Sequence, residues 1–250
     1  MPVFTGALAH ALVAPTRYGV ALFPDFEAID IFGPLDALNA VAYSYQINLT
    51  LISTTLDPVT AKPQSAAMNL LNSSFGESIV PTHTFDTAPE LDVLLIPGGL
   101  GTRAPPPQLD PLIAFIKERF PTLKHLITVC TGAGLAARAG VLDGKYATAN
   151  KKAWASTIAW GPKVRWVAQA RWVQDGNVLS IIFINVNESH LNKCFRWSDI
   201  TIAFIEAVYG NMTATSIANG MEYVRHLNST DDPFAALNGL TNVNNSTNQK

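Results

Sequence analysis

The chain has 250 residues, 48% hydrophobic and 14% charged, with a formal net charge of −2. This composition supplies a packed core and excludes a disordered chain. A pI near 6.2 gives no basic footprint for nucleic acid, and no run reaches the roughly 18 apolar residues of a membrane span.

Residues 1–16 read as a loose N-terminal arm. The stretch lacks a basic start and is interrupted by Gly6, His10 and Pro15, so it makes a poor signal peptide. Two cysteines, Cys130 and Cys194, are too few for a disulfide framework, and a reducing, cytoplasmic compartment is the expectation. Sequons beginning at Asn48, Asn72, Asn187, Asn211, Asn228 and Asn245 are read as chance in an Asn- and Thr-rich chain.

Residues 18–23 form a short continuous apolar run closed by Pro24 and Asp25, the pattern of a strand buried on both faces. Residues 29–41 carry apolar side chains at helical spacing, with Pro34 near the start, where proline is tolerated. A second strand is predicted at 47–52, and short strands at 68–71 and 78–81 in an excursion off the main sheet. The run 92–96 is the clearest buried strand and stops at Pro97-Gly98-Gly99. A helix follows at 112–120, then a buried strand at 126–129 that runs into Cys130-Thr131-Gly132 and a small-residue helix at 133–139 closed by Gly140. Residues 164–167 and 171–173 suggest a hairpin, and 200–209 and 214–223 two final helices.

Strands alternating with helices imply a flavodoxin-like, doubly wound α/β domain: a mostly parallel sheet with helices on both faces. No linker or internal repeat divides it, so residues 17–238 read as one domain and 239–250 as a disordered tail. Ligands in such sheets bind beyond the carboxyl ends of the strands, where Asp30, Gly98, Gly99 and Cys130 fall.

A strand-to-helix turn at Cys130 resembles a nucleophile elbow, and the helix N-terminus after it favours a thiolate. A free cysteine is equally a small buried hydrophobe, and the residues alone leave both readings open. The amides of Gly98, Gly99 and Thr131 are candidate oxyanion donors, with Gly132 allowing close approach of substrate. Asp30 is a candidate proton donor or a helix N-cap; Glu27 reads as a solvated loop charge. The five histidines, His10, His83, His125, His190 and His226, show no metal-ligand spacing.

Three stretches carry a resemblance: residues 19–24 with Asp30-Ile-Phe-Gly-Pro34, residues 91–99, and residues 129–150 from Val129-Cys-Thr-Gly to Thr148-Ala-Asn150. Together they are similar to the ThiJ/PfpI superfamily, within it to the isonitrile hydratase-like fungal branch, whose elbow reads Cys-Thr-Gly. Glu222-Tyr223 matches a late Glu-Tyr pair of that branch. The resemblance implies a flavodoxin-like fold, a homodimer, a nucleophilic Cys130, an acid-base Asp30, and hydration of an isonitrile to an N-substituted formamide. Thr131 and Gly99 would steady the adduct, with no cofactor or metal and a small molecule as the substrate partner.

One stretch departs from the pattern. Where the family carries a Ser/Gly-rich turn before the helix near Asp199, residues 178–196 are an atypical insertion: 178–186 are apolar and could still pair as a strand, and the next ten residues are expected to loop out and leave the pocket open or misformed. Competing readings are a glyoxalase-like activity on 2-oxoaldehydes, which would need a histidine and a glutamate near Cys130, and a non-catalytic redox protein using Cys130. The ligand-sensing half of a transcription regulator ranks last, since no helix-turn-helix follows.

Overall fold

The computed structural model describes residues 14–181 and 196–240. Most of the expected arm, the interior of the atypical insertion with Cys194, and the expected tail from residue 241 lie outside the described residues.

A seven-stranded sheet forms the centre. Its strands are β1 (Arg17–Ala21), β2 (Asn48–Ser53), β5 (His83–Thr84), β6 (Val93–Ile96), β7 (His125–Val129), β10 (Trp172–Asp175) and β11 (Val178–Ile181), in the spatial order β10-β11-β7-β6-β1-β2-β5. All pairings are parallel except β10 with β11, which is antiparallel. Val93–Ile96 and Val178–Ile181 are buried at every position, as strands covered on both faces must be. Helices α1 (Ala28–Ala42), α5 (Arg196–Tyr209) and α6 (Asn211–Gly220) pack together. A second group comprises α2 (Asp110–Arg119), α3 (Gly132–Arg138) and α4 (Trp154–Ile158). The doubly wound fold read from the sequence is present.

The order reverses between β1 and β6. From β1 the chain moves outward to β2 and β5, then returns to β6 and proceeds the other way to β7 and β11. That switch point opens a crevice at the carboxyl ends of β1 and β6, and the loops after β1, β6 and β7 converge on it.

Three local expectations change. Residues 68–71 form no strand; a 3₁₀ turn covers Ala66–Met68 instead, and β4 (Ser78–Ile79) pairs with β3 (Val59–Thr60), which the sequence reading missed. The expected hairpin of 164–167 with 171–173 is two separate pairings. Strand β9 (Arg165–Trp166) runs parallel to β8 (Tyr146–Ala147), while β10 turns back through Gly176, at φ 61°, onto β11. A short helix, α7 (Pro233–Leu237), capped by the Asp232 side chain, was also missed.

At the opposite end of the sheet, Asp92 binds three strands. Its Oδ2 accepts the N–H groups of Thr16 (2.9 Å) and Arg17 (3.1 Å), and its Oδ1 meets the Arg17 guanidinium (3.0 Å) and Lys124 Nζ (3.5 Å). Its backbone N–H reaches the Arg17 carbonyl, and its carbonyl receives the Lys124 and His125 amides. Burial opposes the charge, but the Arg17 side chain and the two amides win and hold the carboxyl below the ordinary carboxylate range. Stability from a depressed carboxyl is present above its unfolded pKa and lost as pH falls. Asp92→Asn is expected to cost about 1–3 kcal/mol at pH 7. Urea unfolding should show the gap between variant and parent closing below about pH 4.

Asp25 has the opposite sign. It lies in the turn after β1 at φ 61°, is buried, and among the described residues its Oδ2 has no hydrogen-bond partner. Burial, then the charge of Glu27, push its carboxyl up to about 6, against the pull of Arg103. A raised carboxyl contributes stability at low pH that is lost as pH rises through the folded value. Asn tolerates the left-handed backbone, so Asp25→Asn should stabilise the protein by about 1–3 kcal/mol near pH 8 and change little near pH 4, read by the same titration.

Candidate active site

The strand β7 ends at Val129 and Cys130 takes φ 59°, a conformation a non-glycine residue holds only when its surroundings impose it. Two constraints act on it. The Cys130 N–H donates to the carbonyl of Ile181, the last residue of β11 (2.8 Å), so the turn is pinned to the sheet. Helix α3 then starts at Gly132, where a Cβ would lie 2.4 Å from the Ile96 carbonyl oxygen and 2.6 Å from that of Pro97. Only glycine lets the helix begin so close to the end of β6. The small residues after Cys130 thus serve packing of the elbow against its neighbour strand.

Asp30 is not the N-cap of α1. Glu27 occupies that position with no side-chain cap bond, and Asp30 sits a turn inside, fully buried. Its Oδ2 accepts the Gly98 N–H at 2.8 Å. The Cys130 thiol interacts with the same carboxylate, and no other bond reaches Oδ1 among the described residues. Burial pushes the Asp30 carboxyl well above the usual range and Glu27 adds to this, while the Gly98 amide and the thiol pull it partly back.

The thiol behaves contrary to the expectation drawn from its helix N-terminus. Burial raises it above the ordinary thiol range and the neighbouring Asp30 charge raises it further. The Thr131 amide and the Asn150 side chain act against that, favouring the thiolate. A helix of about two turns does not outweigh burial and a neighbouring carboxylate. Acid and thiol are therefore a coupled pair that resists carrying two negative charges.

The expected oxyanion donors are arranged differently. The Gly98 amide goes to Asp30, and the Gly99 amide donates to Thr131 Oγ1 (3.1 Å). The buried Thr102 hydroxyl lies 2.8 Å from the Gly99 carbonyl oxygen and 3.1 Å from Thr131 Oγ1, closing a small network. Both glycines are needed for space. A Cβ on Gly98 would stand 2.7 Å from Cys130 Cβ, and one on Gly99, at φ 135°, 2.4 Å from the Asp25 carbonyl oxygen. Of the sequence candidates, Thr131 alone turns its amide to the sulfur.

Glu27 is half-buried; its N–H donates to the Gly98 carbonyl (2.9 Å), and its charge acts on both Asp30 and Cys130. Asn150, at the end of the last resembling stretch, places Nδ2 3.3 Å from Cys130 Sγ. Sequence reasoning missed it because twenty residues of chain separate it from the elbow. Tyr223 donates instead to Asp199, which also receives the Arg171 guanidinium (2.8 Å). The Glu222-Tyr223 pair therefore belongs to the start of α5. Among the described residues no group of three or more His, Cys, Asp or Glu side chains could hold a metal ion, and no helix is long and apolar enough to cross a membrane.

The sequence profile of the DJ-1/PfpI family matches residues 17–181. Isonitrile hydratase from Pseudomonas putida is 32% identical over 134 residues, which cover 54% of this chain and 52% of that protein. The match thus spans about half the length of the curated relative. A ThiJ/PfpI family protein from Pseudomonas syringae aligns with TM-score 0.67 and 24% identity over 94% of this chain and 85% of its own. An AraC family transcriptional regulator from Pseudomonas putida aligns with TM-score 0.63 and 21% identity over 83% of this chain and 100% of its own. Drosophila melanogaster DJ-1beta aligns with TM-score 0.62 and 16% identity over 84% and 99%. At those identities the structural likenesses speak for the fold. The profile match over most of the described core, together with the elbow it contains, places the chain in the DJ-1/PfpI family.

Proposed function

We propose that this chain is a cysteine-dependent hydratase that converts a small isonitrile to an N-substituted formamide, with Cys130 as nucleophile and Asp30 as its proton partner. The observation that carries the reading is the contact between a fully buried carboxyl and a thiol on a left-handed backbone, at the switch point of the sheet. A buried acid beside a nucleophile can hold a proton near neutral pH and return it within one turnover. The similarity to an isonitrile hydratase supplies the substrate class.

The chemistry balances without a cofactor. The S–H bond breaks, its proton passing to Asp30, and sulfur bonds the terminal carbon of R–N≡C. Asp30 delivers the proton to that carbon, giving the thioimidate R–N=CH–S–Cys130. The Thr131 amide, already directed at the sulfur, steadies the charge as it moves. Water then adds to the carbon. One of its protons goes to nitrogen and the other returns to sulfur as the C–S bond breaks, releasing R–NH–CHO. Asp30 relays these protons, and no net proton or electron is gained or lost. We read the protein as a homodimer in the cytoplasm with a small molecule as its substrate partner. In solution the dimer would give twice the 26.9 kDa chain mass by light scattering.

Incubation with a small alkyl isonitrile should yield the formamide, followed by NMR. A protein inert to isonitriles but active on methylglyoxal would overturn the hydratase reading in favour of a glyoxalase-like one.

Cys130→Ala should abolish product formation. Asp30→Asn should lower turnover by about 10²-fold or more while leaving the melting temperature equal or higher, since the buried charge is gone. Equal turnover in the Asn variant would remove Asp30 from the mechanism.

A further inference from the structure

Sulfur at Cys130 is surrounded on more sides than the acid-thiol pair requires. The turn that follows β8 returns to the elbow and brings Asn150 to it. Asn150 uses both ends of its amide: Nδ2 donates to Cys130 Sγ at 3.3 Å, and Oδ1 accepts the Ala153 N–H at 3.0 Å. The second bond fixes the first, because holding Oδ1 on Ala153 leaves Nδ2 on the sulfur side.

The turn itself is anchored. Its next residue, Lys151, has a fully buried side chain with Nζ 2.6 Å from Thr148 Oγ1 and 3.7 Å from Asp232 Oδ2, and 4.7 Å from the centre of the Trp154 ring. The Thr148 hydroxyl in turn donates to the Val167 carbonyl, and the Thr148 backbone N–H donates to Ser180 Oγ on β11. An asparagine on so fixed a turn has little freedom to leave the sulfur.

We propose that Asn150 is a positioning residue for the Cys130 thiol, its side-chain N–H holding the sulfur so that the S–H proton is directed to the Asp30 carboxylate. An amide N–H is a donor only, so Asn150 takes no proton. Its work is to occupy a sulfur lone pair and stabilise the anion as the proton leaves, against the burial and the two carboxylates, Asp30 and Glu27, that disfavour it. The inference rests on the reading of Cys130 as nucleophile, but thiol reactivity tests it without any substrate.

The experiment is the pH dependence of iodoacetamide modification at Cys130, quantified by peptide mapping so that Cys194 does not contribute. Two variants separate the bonds. Asn150→Ser keeps a hydroxyl that can accept the Ala153 N–H but is too short to reach the sulfur. Asn150→Ala loses both. Asn150→Ser should move the midpoint of modification up by about one pH unit, a roughly tenfold slower reaction at fixed pH below it, with an unchanged melting temperature. Asn150→Ala should move it as far and also lower the melting temperature. A midpoint unchanged or lowered in Asn150→Ser overturns the proposal and leaves Asn150 a turn residue. Should the variants fail to fold, the parent protein decides. The Asn150 side-chain amide resonance should shift with the Cys130 titration, and a resonance that does not follow it overturns the proposal. Failure of isonitrile hydration with a shifted midpoint would instead reject the substrate and keep the positioning role.

Discussion

Everything at the crevice follows from one constraint: a carboxyl with no exposed surface shares its space with a thiol. Among the described residues no cation lies beside Asp30 to compensate its charge, and its conventional bond is to the Gly98 amide. Removing a carboxylate from water costs several kcal/mol unless it is paired or protonated. Burial raises both groups and their nearness adds to the rise at Cys130, so that the pair resists carrying two negative charges. The glycines are the steric counterpart. Gly98 must lack a Cβ for its amide to reach Asp30 with Cys130 alongside, and Gly132 must lack one for the elbow to sit against the end of β6. The electrostatic arrangement is what makes these close approaches necessary.

Topology supplies the place. Only at the switch between β1 and β6 do two adjacent strands send their following segments apart, leaving room between them. Asp30 reaches that room because α1 starts there, and Cys130 because β7 is one strand further along. Both Asp25, in the turn after β1, and Cys130, at the end of β7, take left-handed backbone. Such strain lasts only where neighbours over-determine the conformation. Here those neighbours are the Thr60 and Gly101 bonds to Asp25 and the Ile181 bond to Cys130.

The legible part of the sequence was what depends on local pattern. Doubly buried parallel strands are written as continuous apolar runs, so 92–96 and 126–129 were plain, and a lone cysteine and aspartate at strand ends stood out against them. The excursion was not legible. Met68, Leu70 and Leu71 are apolar yet exposed, so the pattern that suggests a strand there carries no burial. The hairpin was misassigned because Gly176, at positive φ, and not the polar stretch before it, makes the turn. The charge state of Cys130 was read from the helix behind it, while the deciding charge, Asp30, is a hundred residues away in sequence. Asn150 escaped for the same reason: nothing near it in the chain marks it as facing a sulfur.

The elbow's support also bears on the residues that depart from the family pattern. Within 178–196, the first four residues form β11, pair with β7 in regular parallel register, and are buried throughout. The last of them, Ile181, supplies the carbonyl that holds the Cys130 amide. On the other flank, Asp199 near the start of α5 is buried against Arg171 and Tyr223. The backbone of the elbow, its acid partner and the asparagine on its sulfur are thus all held by residues outside the divergent interior. The departure from the Ser/Gly pattern leaves those contacts in place.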